Sequence, residues 1–494
     1  MVSLEKIFLI SPLIQINTVD WVERSARFYT NLLSGNYIDT FQKYHPGVTL
    51  MWVVGFCEKV YRKFNYYEDT VLNYRSFPNF IFLTGLVLLF IYCLSLFLSF
   101  LILKKHFGKL FAFFVCFFML FEPFLFGFTY SVSPDSLVVA FSFLTLVLIF
   151  DSFYGTENKW SKYIFVGVSA GFLVLTKITL LIIFPVILFY SILNKAIKNK
   201  LVGILGVLIT ALLTFIIFFP AMWVNPIDTV LKIFRDGLID APLRDYSGPI
   251  ISNWVSGNIF IKKFLSYPIY YIFRISPFGF MFSILGLLVF FKKFFTKSLK
   301  SFVWLISIFL LVYFLSIALP NKQIYKYVLP LFIGNAVFSA LGIVFLVRTF
   351  KKHSFKTVLI SSIIFLQLIY FWFSFPKFLL TYNPLVGGSS VASYFLVPDF
   401  ESTGFYEASL YINAKNLPDT ITIATYPNKS LEPLTNLTVL DGRVSKNADY
   451  SLVPYLYRYP YGKLLDISTG CFLPEKEFIY RGKEYLVLYR NVCK

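Results

Sequence analysis

Histidine and cysteine are scarce, three and five in 494 residues, and their spacing matches no metal motif. There is no Walker A run and no Rossmann glycine turn, which excludes a cytoplasmic nucleotide-driven pump; the missing ligand cluster likewise excludes a zinc protease. No internal repeat or low-complexity segment is present. The chain is above all short of charge. Ionisable residues make up 14% of it, against about 25% in a soluble domain, while 57% of residues are hydrophobic and 20% aromatic. No water-soluble fold hides that much apolar surface.

The apolar residues fall in blocks of roughly the ~20 residues that cross a bilayer core. These blocks are 79-103, 110-129, 136-150, 163-176 with 178-193, 201-222, 273-291, 301-319, 327-348 and 358-376. Counted this way they predict about ten membrane helices. The run Ile7 to Ile16 is too short, and too interrupted by Ser11 and Pro12, for a full span, and it lacks a signal-peptide cleavage site. It reads as a short first helix or as a truncated start.

A formal charge of +19 raises the question of nucleic acid, and the placement of the charge answers it. Lys104, Lys105 and Lys109 share one short loop; Lys195, Lys198 and Lys200 share another. Lys292, Lys293, Lys297 and Lys300, then Arg348, Lys351, Lys352 and Lys356, repeat the pattern. Every second loop is basic, most weakly the one with Lys159 and Lys162. This positive-inside pattern puts those loops in the cytoplasm and the alternate ones, with the tail after 376, outside. No nucleic-acid partner is needed. The expected partner is the bilayer, which in a prokaryote is the plasma membrane.

The expected architecture is therefore an all-α polytopic membrane domain over 1-376 and an extracytoplasmic domain over 377-494. Two long outside loops, 18-78 and 223-272, belong to the first. In 18-78, Trp21, Val22, Ala26, Phe28, Tyr29, Leu32 and Leu33 recur at helical spacing, so 20-34 reads as an amphipathic interfacial helix. A second such segment, about 47-64, follows His45-Pro46-Gly47 and carries Trp52. Loop 223-272 reads as a packed connector or a lid. In the tail, a helix over 404-416 and strands near Thr420 to Thr425 and Glu484 to Tyr489 predict a small α/β domain. Cys471 and Cys493 are available to pair there if the compartment is oxidising. Asn428-Lys429-Ser430 and Asn436-Leu437-Thr438 fit a glycosylation pattern that is uninformative without a source.

Ionisable groups at membrane depth carry the chemistry, because an acid near a helix centre costs roughly 2.5–3.5 kcal/mol on insertion scales. Asp20 and Asp135 each stand where a helix begins on the outer face, so each is a candidate site carboxylate or a helix cap. Glu122 precedes Pro123 inside a span, where it reads as a partner for freed backbone or for a basic side chain. Glu23 is placed to pair with Arg27 at i,i+4. Lys177 divides two apolar stretches and reads either as a snorkelling lysine or as an anion ligand; Lys322 and Lys326 form a second basic cluster on the same face. Acids beside membrane-level cations suit a phosphate-bearing lipid substrate and a hydroxyl nucleophile.

These residues, in order over most of the chain, resemble the lipid-carrier-dependent glycosyltransferases of the GT-C superfamily, near the protein O-mannosyltransferases and aminoarabinose transferases. The most specific piece is Val19-Asp20-Trp21 through Arg24-Ser25 and Phe28, then Thr40-Phe41-Gln42 and His45-Pro46-Gly47-Val48-Thr49 with Trp52. Glu122-Pro123-Phe124-Leu125 with Asp135-Ser136-Leu137 is similar to the second acidic motif, and Gly171 to Lys177 to the glycine-rich helix ending in Leu-Thr-Lys. Tyr267-Pro268 to Ser276-Pro277, Lys326-Tyr327-Val328-Leu329-Pro330, and Tyr382-Asn383-Pro384-Leu385 with Gly387-Gly388 continue the series. Tyr130 stands where relatives often carry an arginine.

The resemblance implies a GT-C-like helical bundle and a polyprenyl-phosphate sugar as donor, with no further cofactor or metal. The sugar, a hexose or a pentose, passes with inversion to an acceptor hydroxyl on a protein, glycan or lipid. Asp20 is then the expected base, with Glu23 or Glu122 as the alternative acid, and Asp135 supports the site or orients the acceptor. Lys177, Lys322, Lys326 and Arg24 are expected at the donor phosphate, and His45, Tyr130 and Trp52 at the acceptor or in shaping the site. A transporter or lipid flippase for a phosphate-bearing lipid is the rival reading, and an inactive relative with a partner-binding tail is a third.

Overall fold

The computed structural model describes residues 18–43, 46–65, 76–154, 159–193, 197–240, 259–292, 295–396, 404–425, 431–441, 447–454, 471–480 and 483–494. His45, the run 7–16, the sequon at 428–430 and residues 241–258 of the second large loop lie outside them.

Long apolar runs form helices because a backbone in lipid has to satisfy its own N–H and C=O groups. Among the described residues, six helices are long and apolar enough to span: Phe77–Phe107, Asp135–Phe153, Leu201–Phe218, Lys297–Ala318, Tyr325–Thr349 and His353–Ser374. They fall on six of the ten expected runs, so that count requires correction. Run 110–129 is cut at Glu122-Pro123, where a proline without an N–H starts a new helix, and Lys109–Phe121 and Pro123–Thr129 meet at 70°. Run 273–291 is cut at Ser276-Pro277, where Ile261–Arg274 and Pro277–Phe290 meet at 120°. Counting each bent pair as one span gives up to eight. The remaining two, Trp160–Thr176 and Ile178–Leu193, are shorter apolar helices that part at the extended backbone of Lys177.

Packing in the bundle relies on close backbone approach. Helices Pro277–Phe290 and Phe332–Thr349 touch along their length. At their crossing a Cβ on Gly286 would stand 1.9 Å from the Phe338 carbonyl oxygen. In lipid, where apolar side chains gain little from leaving water, small residues that let backbones meet are a main source of helix association.

The two segments expected at the interface form helices Thr18–Leu33 and Val48–Asn65, which pack on each other. The first buries Val19, Trp21, Val22, Ser25 and Phe28. Their apolar faces share a core with the N-terminal end of Phe77–Phe107 and with Phe405, Ile412 and Leu488 of the C-terminal unit.

That unit is a small α/β fold built on one mixed sheet. Strands β1 (Thr422–Thr425), β2 (Thr438–Asp441), β3 (Tyr450–Pro454), β4 (Phe472–Tyr480) and β5 (Lys483–Asn491) run in the order β2-β1-β3-β5-β4. β1 is parallel to β2 and β3, and β5 is antiparallel to β3 and β4. Helix Phe405–Ala414 precedes the sheet, and Cys471 and Cys493 form a disulfide beside β4 and β5.

Between His353–Ser374 and this unit the chain stays against the bundle, with Leu379, Ala392 and Leu396 in the hydrophobic core of the helices. The Asn383 N–H donates to the Phe273 carbonyl at 2.7 Å. Arg274 donates to the carbonyls of Leu379, at 2.6 Å, and Thr381, at 3.2 Å, and its guanidinium lies 3.9 Å from the centre of the Tyr382 ring. Lys377 ties the unit on through Glu407 and the Tyr485 hydroxyl. Burial draws the Lys377 ammonium below its ordinary pKa, against the opposing pull of Glu407.

A leucine at Gly286 has no space at that crossing. Gly286→Leu is expected to cost more than about 3 kcal/mol, seen as loss of the monodisperse peak in detergent and a lowered Tm; an unchanged Tm would contradict the packing.

Candidate functional site

The site begins at Trp21. Against its ring lies Gly47, whose φ of +54° suits glycine and whose Cβ, if present, would sit 2.4 Å from the indole. The Arg24 guanidinium stands 5.0 Å from the ring centroid. One aromatic plate thus fixes the loop 46–47 and the arginine together. Asp20 lies in the first turn of the same helix, with a carboxylate oxygen 3.7 Å from Arg24. It is half-buried.

Asp135 opens helix Asp135–Phe153 after Pro134 and is buried. Lys177 Nζ donates to its Oδ1 at 2.8 Å, and Lys326 Nζ stands 3.4 Å from its Oδ2. The Ser133 hydroxyl donates to Oδ2 at 3.1 Å. The Lys177 ammonium also sits 4.3 Å from the centre of the Tyr327 ring. Lys177 is itself buried, so its head stays inside and does not snorkel to water.

Two further contacts register these parts. The Thr49 and Thr176 hydroxyls meet at 2.6 Å and lock helix Val48–Asn65 to the residue before Lys177. The Tyr313 hydroxyl donates to the Tyr327 carbonyl at 2.9 Å, and the Ile324 N–H donates to the Tyr267 hydroxyl at 3.2 Å, which fixes the segment carrying Lys322 and Lys326.

Lys43 joins this basin, although its place in the sequence does not announce it. A lone lysine in a loop carries no pattern, and its one signal was its place two residues before His45-Pro46-Gly47. Burial first, then the charges of Arg24 and Lys322, lower its pKa to about 8; Asp20 pulls the other way and Lys326 adds to the lowering. Lys322 and Lys326 are also within electrostatic reach of Lys177. Arg24, Lys43, Lys177, Lys322 and Lys326 therefore gather round Asp20 and Asp135, drawing on four separate stretches of chain.

An apolar cavity of ≈ 470 Å³ opens beside this basin. Ile178, Leu181, Leu238 and Ile317 are among its walls, and Lys322 and Tyr327 stand at its polar edge.

Other sequence candidates have structural duties. Glu122 is fully buried and accepts from the Ser276 N–H and the Ser276 hydroxyl, both at 2.7 Å. It neutralises the start of helix Pro277–Phe290 instead of the backbone next to its own proline. The Trp52 indole N–H donates to the Phe218 carbonyl at 2.8 Å, and the ring meets Phe28 edge-on at 5.5 Å. Tyr130 ends helix Pro123–Thr129 and packs on Phe126. Glu23 lies 3.6 Å from Arg27, as the spacing predicts. Among the described residues, no group of three His, Cys, Asp or Glu side chains is placed to hold a metal ion.

Residues 81–223 match the family described as dolichyl-phosphate-mannose-protein mannosyltransferase. The fold is similar to that of ArnT from Cupriavidus metallidurans in the apo state, with a TM-score of 0.54 at 11% identity, covering 98% of this chain and 96% of that one. It is equally similar to ArnT from the same organism bound to undecaprenyl phosphate, with a TM-score of 0.53 at 11% identity over 99% and 96% of the two chains. No curated protein matches in sequence. The chain has the ArnT-like fold, and its residues 81–223 resemble the mannosyltransferase family.

Proposed function

We propose that the protein transfers a sugar from a polyprenyl-phosphate donor to an acceptor hydroxyl, with inversion, on the non-cytoplasmic face of its membrane. The observation that carries this reading is the meeting of carboxylates and cations at the mouth of an apolar cavity: Lys322 belongs both to the basin and to the cavity edge. A lipid phosphate has that shape, anionic at one end and hydrocarbon at the other. The undecaprenyl phosphate bound to the similar ArnT fits the same reading. The Cys471–Cys493 disulfide supports an oxidising compartment for the tail, hence the outward orientation that the loop charges predict.

In the reaction the acceptor oxygen forms a bond to the anomeric carbon as the bond from that carbon to the phosphate oxygen breaks. The acceptor proton passes to Asp20, and the electron pair of the broken bond leaves on the lipid phosphate. A carboxylate is a weak base, so it takes the proton as the new bond forms, in the manner of general base catalysis. Arg24, Lys43, Lys322 and Lys326 meet the growing negative charge by charge-assisted hydrogen bonds. Lys177 and Asp135 stand behind them. Asp135 holds Lys177 and Lys326 side by side at 2.8 and 3.4 Å, which makes it a positioning residue for the phosphate site.

Asp20→Asn is expected to lower transfer of radiolabel from lipid-linked sugar by about 10²–10⁴-fold while leaving the Tm in detergent unchanged. Transfer at the wild-type rate would remove Asp20 from the role.

Lys43 sets a pH limit. With a pKa lowered to about 8, its ammonium is charged below that pH and neutral above it. Donor binding should therefore weaken as pH rises, with donor KM increasing several-fold (about 3–10) between about pH 7 and 9. Folding has the opposite sign: the unfolded lysine holds its proton up to its ordinary pKa of 10.5, so native stability rises from about pH 8 towards that value. Lys43→Met should flatten the KM profile, and a profile identical to wild type would contradict the assignment.

A further inference from the structure

The cavity at Lys322 has a neighbour. Across the turn Ile178–Ile182 lies a second space of ≈ 360 Å³, walled by Val174, Phe184, Leu208, Leu212 and Phe215 among others. Ile178 and Leu181 belong to the walls of both. The wide π-type turn Ile233–Asp240 reaches both as well: Ile233 and Phe234 line the second cavity, Gly237 and Leu238 the first.

The two differ in chemistry. The first has Lys322, Thr179, Ser316 and Tyr327 on its lining. Every residue lining the second is apolar. A separate lipid lodged in the second would have no side chain there to hold its headgroup. An occupant that enters from the first brings its anchor with it, at Lys322. It must be anionic at one end, apolar beyond, and long enough to pass Ile178 and Leu181.

We propose that the second cavity seats the distal isoprene units of the donor, whose chain bends round Ile178 and Leu181, so that the protein discriminates among carriers by length. This rests on the donor reading above. A polyprenyl tail in the bilayer is already out of water, so its seat gains little from the hydrophobic effect and relies on shape and van der Waals contact. Such contact is sensitive to filling. The far wall, Leu208 and Leu212, lies on helix Ile197–Phe218 with both side chains partly exposed, so a larger side chain at Leu212 can enter the cavity without disturbing the bundle core.

The test uses the full chain in proteoliposomes, with undecaprenyl-phosphate and geranyl-phosphate sugars as donors. Wild-type protein should favour the longer carrier in kcat/KM by about tenfold or more, and Leu212→Trp should collapse that preference. An undecaprenyl phosphate with a diazirine at its far end should crosslink within residues 208–215 or 230–234. Equal kcat/KM for both carriers, with crosslinks only elsewhere, overturns the proposal while leaving the donor reading standing. A Leu212→Trp variant with raised acceptor KM and intact length preference puts the acceptor in this cavity and also overturns it. Transfer from neither carrier defeats the donor reading itself.

Discussion

Asp135 shares its two oxygens between Lys177 and Lys326, and the polar end of the bundle is organised by that buried clasp. Taking three charges out of water is costly, and their attraction offsets the cost well only when the geometry is good and the remaining lone pairs are occupied. Here Ser133 supplies the further hydrogen bond, and the Tyr327 ring takes a face of the Lys177 ammonium. Little net stability need come of it. Register does: the clasp joins the break after Trp160–Thr176 to the segment Tyr325–Leu331 and to the first turn of Asp135–Phe153. With those three fixed, Lys322 and Lys326 come within electrostatic reach of Lys43, as do Asp20 and Arg24.

Much of this was legible in the residue order. Six long apolar runs, the helices Thr18–Leu33 and Val48–Asn65, the α/β tail and the pairing of Glu23 with Arg27 are local properties, set by spacing within one stretch of chain. The lysine groups at 177 and 322–326 stood out because charge at membrane depth is rare. What the spacing could not carry was direction. Lys177 read as an anion ligand or a snorkelling side chain, and it turns inward to an acid 42 positions earlier.

The parts that stayed hidden are those decided by distant partners. Glu122 finds Ser276 across 154 positions, and nothing near Glu122 announces a helix start there. Trp52 finds a carbonyl 166 positions on. The overcounted spans have a related cause: composition reports that a stretch belongs in lipid, whereas proline decides whether it crosses in one piece. Glu122-Pro123 and Ser276-Pro277 both break apolar runs, and the carboxylate of the first break satisfies the helix start at the second.

The cage round Arg274 has a consequence for the order in which the chain assembles. Arg274 ends a membrane helix, yet the carbonyl of Leu379 that it binds is made 105 residues later. Three further spans, Lys297–Ala318, Tyr325–Thr349 and His353–Ser374, enter the bilayer in between. During synthesis the bend at Ser276 thus takes its final support after His353–Ser374 is in place, when residues 379–382 fold back onto Arg274. Insertion and completion are separate events in this protein, and the segment that closes the bundle is the one that continues into the sheet.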